Sequence, residues 1–171
     1  TEHMFFGQER ILEMRRLILA DTEDETKEAL SRLLNFQEED FYQMFQAVQD
    51  KPMIVRLLDP PMHEFLPKDD QDIENLAKQL KKYPKKLAER IESLQESNPM
   101  LGHRGCRLGI TKPEIYKMQT EAIFRSAIKL HQEGQKIKPE IMVPLIADKK
   151  ELECIKEYLV QHIEHLFEKY G

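Results

Sequence analysis

The chain has 171 residues, about one domain's length, with 33% charged and 40% hydrophobic residues, enough to bury a core without staples. A net charge of −5 and a sequence pI near 5.7 argue against a nucleic-acid surface, which needs a basic face. No apolar run approaches the roughly 18 residues of a membrane helix, no signal peptide opens the chain, and two cysteines, Cys106 and Cys154, are too few for a disulfide framework and fit a reducing, cytoplasmic compartment.

In chain order, Thr1 to Phe6 reads as the end of a strand, so the chain is expected to start inside an element and to be a fragment. Gln8 to Leu19 has helical spacing at Ile11, Met14 and Ile18. Thr22 followed by Glu25 is a capping-box signature for a helix carrying Leu30, Leu33 and Leu34. A turn and a further helix are expected next, with Phe41, Met44, Phe45 and Val48 on one face. Pro52 to Leu58, bounded by prolines, suits a parallel strand buried on both faces.

Asp59 to Asp70 is a Pro-rich loop. Asp72 to Lys82 and Lys85 to Gln95 read as two charged helices broken at Pro84, a helical insertion over 68–97. Asn98 to Ile110 reads as a loop with a possible short strand. Thr111 is expected to cap a helix with Pro113 in its first turn and Gly134 at its end. PEIMVPLI, from Pro139 to Ile146, is a second buried-strand candidate, and Asp148 to Lys169 is a final amphipathic helix. Strands alternating with helices point to an α/β fold with a parallel sheet. Three or four strands can be counted, whereas a complete eight-stranded barrel takes roughly 250 residues. The expectation is therefore a partial (β/α) barrel or a small open sheet.

In such folds the C-terminal ends of strands face the active site. Arg56 to Asp59, leading into PPMHEFLP, and Asn98 to Leu108, NPMLGHRGCRL, fit that position. Each sets an arginine among Gly and Pro, and a planar guanidinium suits bidentate binding of phosphate or carboxylate. Arg56 and Arg104 are the candidate anion site. The competing reading is that Arg56 pairs with a nearby carboxylate such as Asp59 and only organises the loop.

TEHMFF, RLLDPPMHEFLP, NPMLGHRGCRLGI, PEIYKMQTEAIF and PEIMVPL together resemble the pyruvate, phosphate dikinases, within the wider family of phosphoenolpyruvate-utilising enzymes, and do so along nearly the whole chain. Phosphoenolpyruvate synthase and enzyme I of the sugar phosphotransferase system are similar around NPMLG and R–D, but HRGCRLGI and DPPMHEFLP look most like the dikinases. The resemblance implies a TIM-type barrel, of which this chain would hold roughly strands two to five. It also implies a phosphotransferase that interconverts ATP, phosphate and pyruvate with AMP, pyrophosphate and phosphoenolpyruvate. In the family a phosphohistidine on a swivelling domain carries the phosphoryl group. Arg56 and Arg104 would then bind phosphoenolpyruvate or pyruvate, with Asp59 in support. Mg²⁺ would hold the enolate, but its carboxylate ligands and the proton-donating Cys are expected beyond Gly171, and the phosphohistidine and ATP-binding domains upstream. The chain alone is accordingly expected to be inactive. The alternative is a non-catalytic truncated module, or a fragment of a related phosphoenolpyruvate synthase or enzyme I.

The remaining features have plainer readings. Cys106 reads as structural, and the five lysines between Lys78 and Lys86 as a solvated helical face. His162 and His165 lack an evident third metal ligand. His63 and His103 read as loop-organising donors. Strands whose neighbours lie outside the chain would leave open edges and apolar side chains, so a homo-oligomer, most simply a two-fold dimer, is expected around Ile54, Val55 and Met142.

Overall fold

The computed structural model describes residues 1–49 and 51–171. Seven α-helices and two strands are formed by these residues: α1 Gln8–Ile18, α2 Glu23–Val48, β1 Pro52–Arg56, α3 Asp70–Leu80, α4 Pro84–Ser93, α5 Cys106–Thr111, α6 Pro113–Gln132, β2 Lys138–Met142 and α7 Lys149–Tyr170. Short 3₁₀ turns cover Glu2–Phe5 and Met62–Phe65.

Four expectations need correction. The N-terminal segment is the first 3₁₀ turn, not a strand, closed by the Met4 N–H donating to the Thr1 carbonyl. The turn expected between Leu34 and Phe41 is absent, and α2 runs unbroken for 26 residues. No Gly or Pro interrupts it, and Leu33, Gln37, Phe41 and Phe45, four residues apart, form one buried stripe. The possible strand near Ile110 is α5. Thr111 is its last residue and turns its hydroxyl back to the Arg107 carbonyl, so it does not cap α6, which Pro113 starts at its first turn.

Other boundaries follow the chemistry of the ends. Thr22 accepts from the Glu25 N–H, while the Glu25 carboxylate reaches Asp21 N–H, one residue short of a full box. Asp148 and Glu151 form a complete capping box on α7. Pro84 opens α4 at its first turn. The α3–α4 hairpin lays Leu76, Ala77, Leu87 and Ile91 into the common core. It is tied to the end of α1 by Lys82, whose Nζ donates to the Leu19 carbonyl at 2.6 Å and pairs with Asp21 at 2.6 Å.

The fold is α/β, with a parallel two-stranded sheet among the described residues in place of the three or four strands counted from the sequence. Its register pairs Pro52 with Lys138 and Arg56 with Met142. α6 is the central helix, packed between α2 and α7, with buried residues on most of its faces. The strands are buried on one face only. Val55 is enclosed, but Ile54 is 58% and Met142 46% exposed. Residues 54, 56, 140 and 142 alternate with the core-facing positions and share the open face. The expectation of strands buried on both faces fails because α2 and α6 cover a single face.

Candidate functional site

The site is built where β1 ends. Leu57 continues the ladder by donating its N–H to the Met142 carbonyl at 3.0 Å. Leu58 is fully buried and has no strand partner, so its backbone groups need others. Two side chains one turn apart on α6 supply them. Leu58 N–H donates to Gln119 Oε1 at 2.8 Å, and the Tyr116 hydroxyl donates to the Leu58 carbonyl at 2.9 Å. Burial pushes the Tyr116 phenol far above its ordinary value, so it stays a neutral donor. Gly109 makes room for this tyrosine, since a Cβ there would lie 2.5 Å from its ring carbons.

Asp59, the next residue, is a junction. Its N–H donates to Glu2 Oε1 at 3.3 Å, its carbonyl accepts from Gly105 N–H at 2.9 Å, and its Oδ2 accepts from Arg104 Nη2 at 2.9 Å. The following residue in the other segment, Cys106, donates its N–H to the Pro144 carbonyl at 3.0 Å and its thiol to the Leu145 carbonyl at 3.2 Å. Residues 104–106 therefore bridge the C-terminal ends of both parallel strands. Two backbone positions are bent to allow it. Gly105 has φ +55°, and Leu145 has φ +62°, where a bulky side chain is strained.

Arg56 leaves β1 on the open face. It is half exposed, and its Nη2 donates to Glu2 Oε2 at 3.1 Å. Its partner is thus Glu2, not the Asp59 weighed from the sequence, and Asp59 holds Arg104 instead. Burial works to raise the Glu2 carboxyl, but hydrogen bonds, among them one from Arg56, outweigh this and hold it below its ordinary value. Arg104 is mostly enclosed, and its Nε is buried without a partner, as is Asp59 Oδ1. Two guanidinium groups and two carboxylates thus form one chain, Arg56–Glu2–Asp59–Arg104, with donor capacity left over on both arginines.

The other candidates take structural places. Cys106 is enclosed and burial pushes its thiol up, the opposite of an activated nucleophile. His103 Nε2 meets Thr111 Oγ1, and its N–H donates to Glu96 Oε1 at 2.8 Å. His63 keeps Nδ1 buried without a partner. His162 lies 3.6 Å from Glu121 and is lowered chiefly by burial, whereas His165 is exposed beside Glu168. Among the described residues no three His, Cys, Asp or Glu side chains gather into a metal-binding group. Glu2 and Asp59, the carboxylates of the site, are already engaged by arginines, so the residues present do not fit Mg²⁺. No helix among the described residues is long and apolar enough to cross a membrane.

Sequence reasoning missed Glu2, Tyr116 and Gln119. The last two had a signal, as polar groups one turn apart on a helix face otherwise made of Ile115, Met118, Ala122 and Ile123.

Comparisons with known proteins give the family of the chain. A family model described as "PEP-utilising enzyme, PEP-binding domain" matches residues 1–171. The chain belongs to the PEP-utilising enzyme family. It is 45% identical to pyruvate, phosphate dikinase of Clostridium symbiosum over 172 residues, which is 100% of this chain and 20% of that protein. It is 49% identical over 157 residues to the pyruvate, phosphate dikinase of Rhizobium meliloti, 91% of this chain and 18% of the relative. It is 47% identical over 154 residues to the chloroplastic pyruvate, phosphate dikinase 1 of Arabidopsis thaliana, 89% of this chain and 16% of the relative. The chain spans about a fifth of the length of the curated relatives it matches.

Proposed function

We propose that this PEP-binding domain contributes the arginine side of the phosphoenolpyruvate/pyruvate site of a pyruvate, phosphate dikinase, with Arg56 and Arg104 as the substrate-binding residues and Asp59 as their support. The observation that carries the reading is the bridge of residues 104–106 across the ends of β1 and β2, which sets Arg104 on Asp59, whose N–H is held by the same Glu2 that pairs with Arg56. Phosphoryl transfer spreads negative charge over equatorial oxygens, and catalysis is mostly positioning and charge stabilisation. Arg56 keeps Nε and Nη1 clear of its single contact to Glu2, and a partly wet fork of this kind receives an anion without first breaking a buried pair.

In this reading β1 and β2 are neighbouring strands of a (β/α) barrel, residues 68–97 are an insertion in it, and the exposed Ile54 and Met142 face strands or a second copy that covers them. Mg²⁺ and the phosphohistidine belong to the rest of the dikinase, so the chain alone is inactive. Two free cysteines support a reducing compartment such as the cytoplasm. In a full-length dikinase carrying this segment, Arg56→Ala or Arg104→Ala is expected to slow phosphoryl transfer to pyruvate at least about 10²-fold and to spare the nucleotide half-reaction. Equal losses in both half-reactions, or none in either, would overturn the assignment.

A further inference from the structure

We propose that Glu2 is a positioning residue that sets the placement of Arg56 relative to Arg104 and so tunes the site to a two-ended anion. The inference rests on the reading of the arginines given above. Glu2 Oε2 holds Arg56 Nη2 at 3.1 Å while Oε1 takes the Asp59 N–H at 3.3 Å. Asp59 in turn holds Arg104 at 2.9 Å. One carboxylate therefore couples a half-exposed, rotamer-rich arginine to the backbone residue whose side chain fixes the second arginine. Neither contact involves the first nitrogen of the chain.

Stability is not the purpose. An ion pair with a half-exposed arginine is worth little. Orientation is different, because an arginine on an open sheet face would otherwise sample several rotamers, and a small misplacement of a charge clamp costs much of its effect. Glu2 is well suited to the task, being mostly enclosed and held ionised across the neutral range. It also engages only one nitrogen of Arg56, so it points the fork and leaves its other donors free.

A ligand with a phosphate and a carboxylate, such as phosphoenolpyruvate, reads the spacing of two forks. Inorganic phosphate reads one. Removing Glu2 deletes a negative charge, which favours any anion and the more highly charged phosphoenolpyruvate most, so a fall in the ratio of the two affinities runs against that charge effect. The test uses the 171-residue chain, with Glu2→Ala, Glu2→Gln, Arg56→Ala and the Glu2→Ala/Arg56→Ala pair. Side-chain ¹⁵Nε relaxation of Arg56 is measured without ligand, and phosphoenolpyruvate and inorganic phosphate are titrated separately.

Glu2→Ala is expected to mobilise Arg56 and to lower the phosphoenolpyruvate-to-phosphate affinity ratio about ten-fold, the order of one charge-assisted hydrogen bond. Glu2→Gln, which keeps an acceptor, falls between Ala and wild type. In the Arg56→Ala background the Glu2 effect on the ratio shrinks to less than about two-fold, because the two residues act as a unit. An Arg56 equally mobile with and without Glu2 overturns the inference, as does a ratio unchanged by Glu2→Ala in a chain whose ratio responds to Arg56→Ala. If Arg56→Ala leaves both affinities unchanged, the reading of the arginines fails instead, and the relaxation data still decide whether Glu2 positions Arg56.

Discussion

Tyr116→Phe isolates one hydrogen bond at the root of the site. The ring of Tyr116 is fully buried and so is Leu58, whose carbonyl accepts the phenol at 2.9 Å. Removing the oxygen keeps the ring packing and leaves a buried carbonyl with no partner and no route to water. A buried acceptor left unsatisfied costs about 1–3 kcal/mol, and full enclosure on both sides places this case near the middle, about 2 kcal/mol. For a chain of this length that corresponds to a fall in Tm of roughly 4–8 °C. Urea unfolding at pH 7, followed by far-UV circular dichroism, should show a lower midpoint with an unchanged slope. The double variant with Gln119→Leu should lose less than the sum of the single changes, because both side chains serve Leu58. A Tyr116→Phe loss below about 0.5 kcal/mol, or strict additivity with Gln119→Leu, would refute the idea that α6 replaces a strand neighbour at this point.

Three further outcomes are expected. Gly105→Ala meets a positive-φ backbone, φ +55° and ψ −132°, costing about 1–3 kcal/mol, and its Cβ would sit 2.9 Å from Leu145 Cβ and 3.1 Å from Asp59 Oδ1; urea unfolding and phosphoenolpyruvate titration should both weaken, and a neutral result on both would show that the bridge adapts freely. Glu2 is depressed in the folded state, so its contribution is present above its ordinary value of 4.5 and lost as pH falls below it; the stability difference between wild type and Glu2→Gln should shrink on acidification, and a difference that grows contradicts the assignment. The exposed Ile54 and Met142 lead us to expect a dimer in sedimentation equilibrium at micromolar concentration, disrupted by Ile54→Glu; a monomer at every concentration rules this out.

Much of the helical frame was readable because its signals are local. The Asp148–Glu151 box, Pro84 and Pro113 at first turns, and the apolar spacing of α3 and α4 each fix an end or a face within a few residues. The strands were readable as runs but not in number, because pairing is decided by partners far along the chain. TEHMFF has the aromatics of a strand, yet with no paired neighbour it closes as a 3₁₀ turn. The burial of β1 was misjudged for the same reason, since MIVRLL gives no account of which face the helices leave open.

Arg56 stands out in the sequence because an arginine in an apolar run must have a reason to be there, and Arg104 because it sits between glycines in a loop. Their partners do not. Glu2 lies 54 positions from Arg56, and Arg104 lies 45 from Asp59, and nothing in either local stretch encodes such a pairing. The nearest carboxylate in sequence, Asp59, was the natural partner for Arg56. Geometry overrules it, since Asp59 lies past the strand end, where its backbone is taken by Glu2 and Gly105 and its side chain turns to Arg104. The relative placement of the two arginine forks is therefore a tertiary property. It depends on α6 holding Leu58 through Tyr116 and Gln119, one residue before the junction. Substitutions on α6, which touch neither arginine, should for that reason perturb ligand binding and stability together.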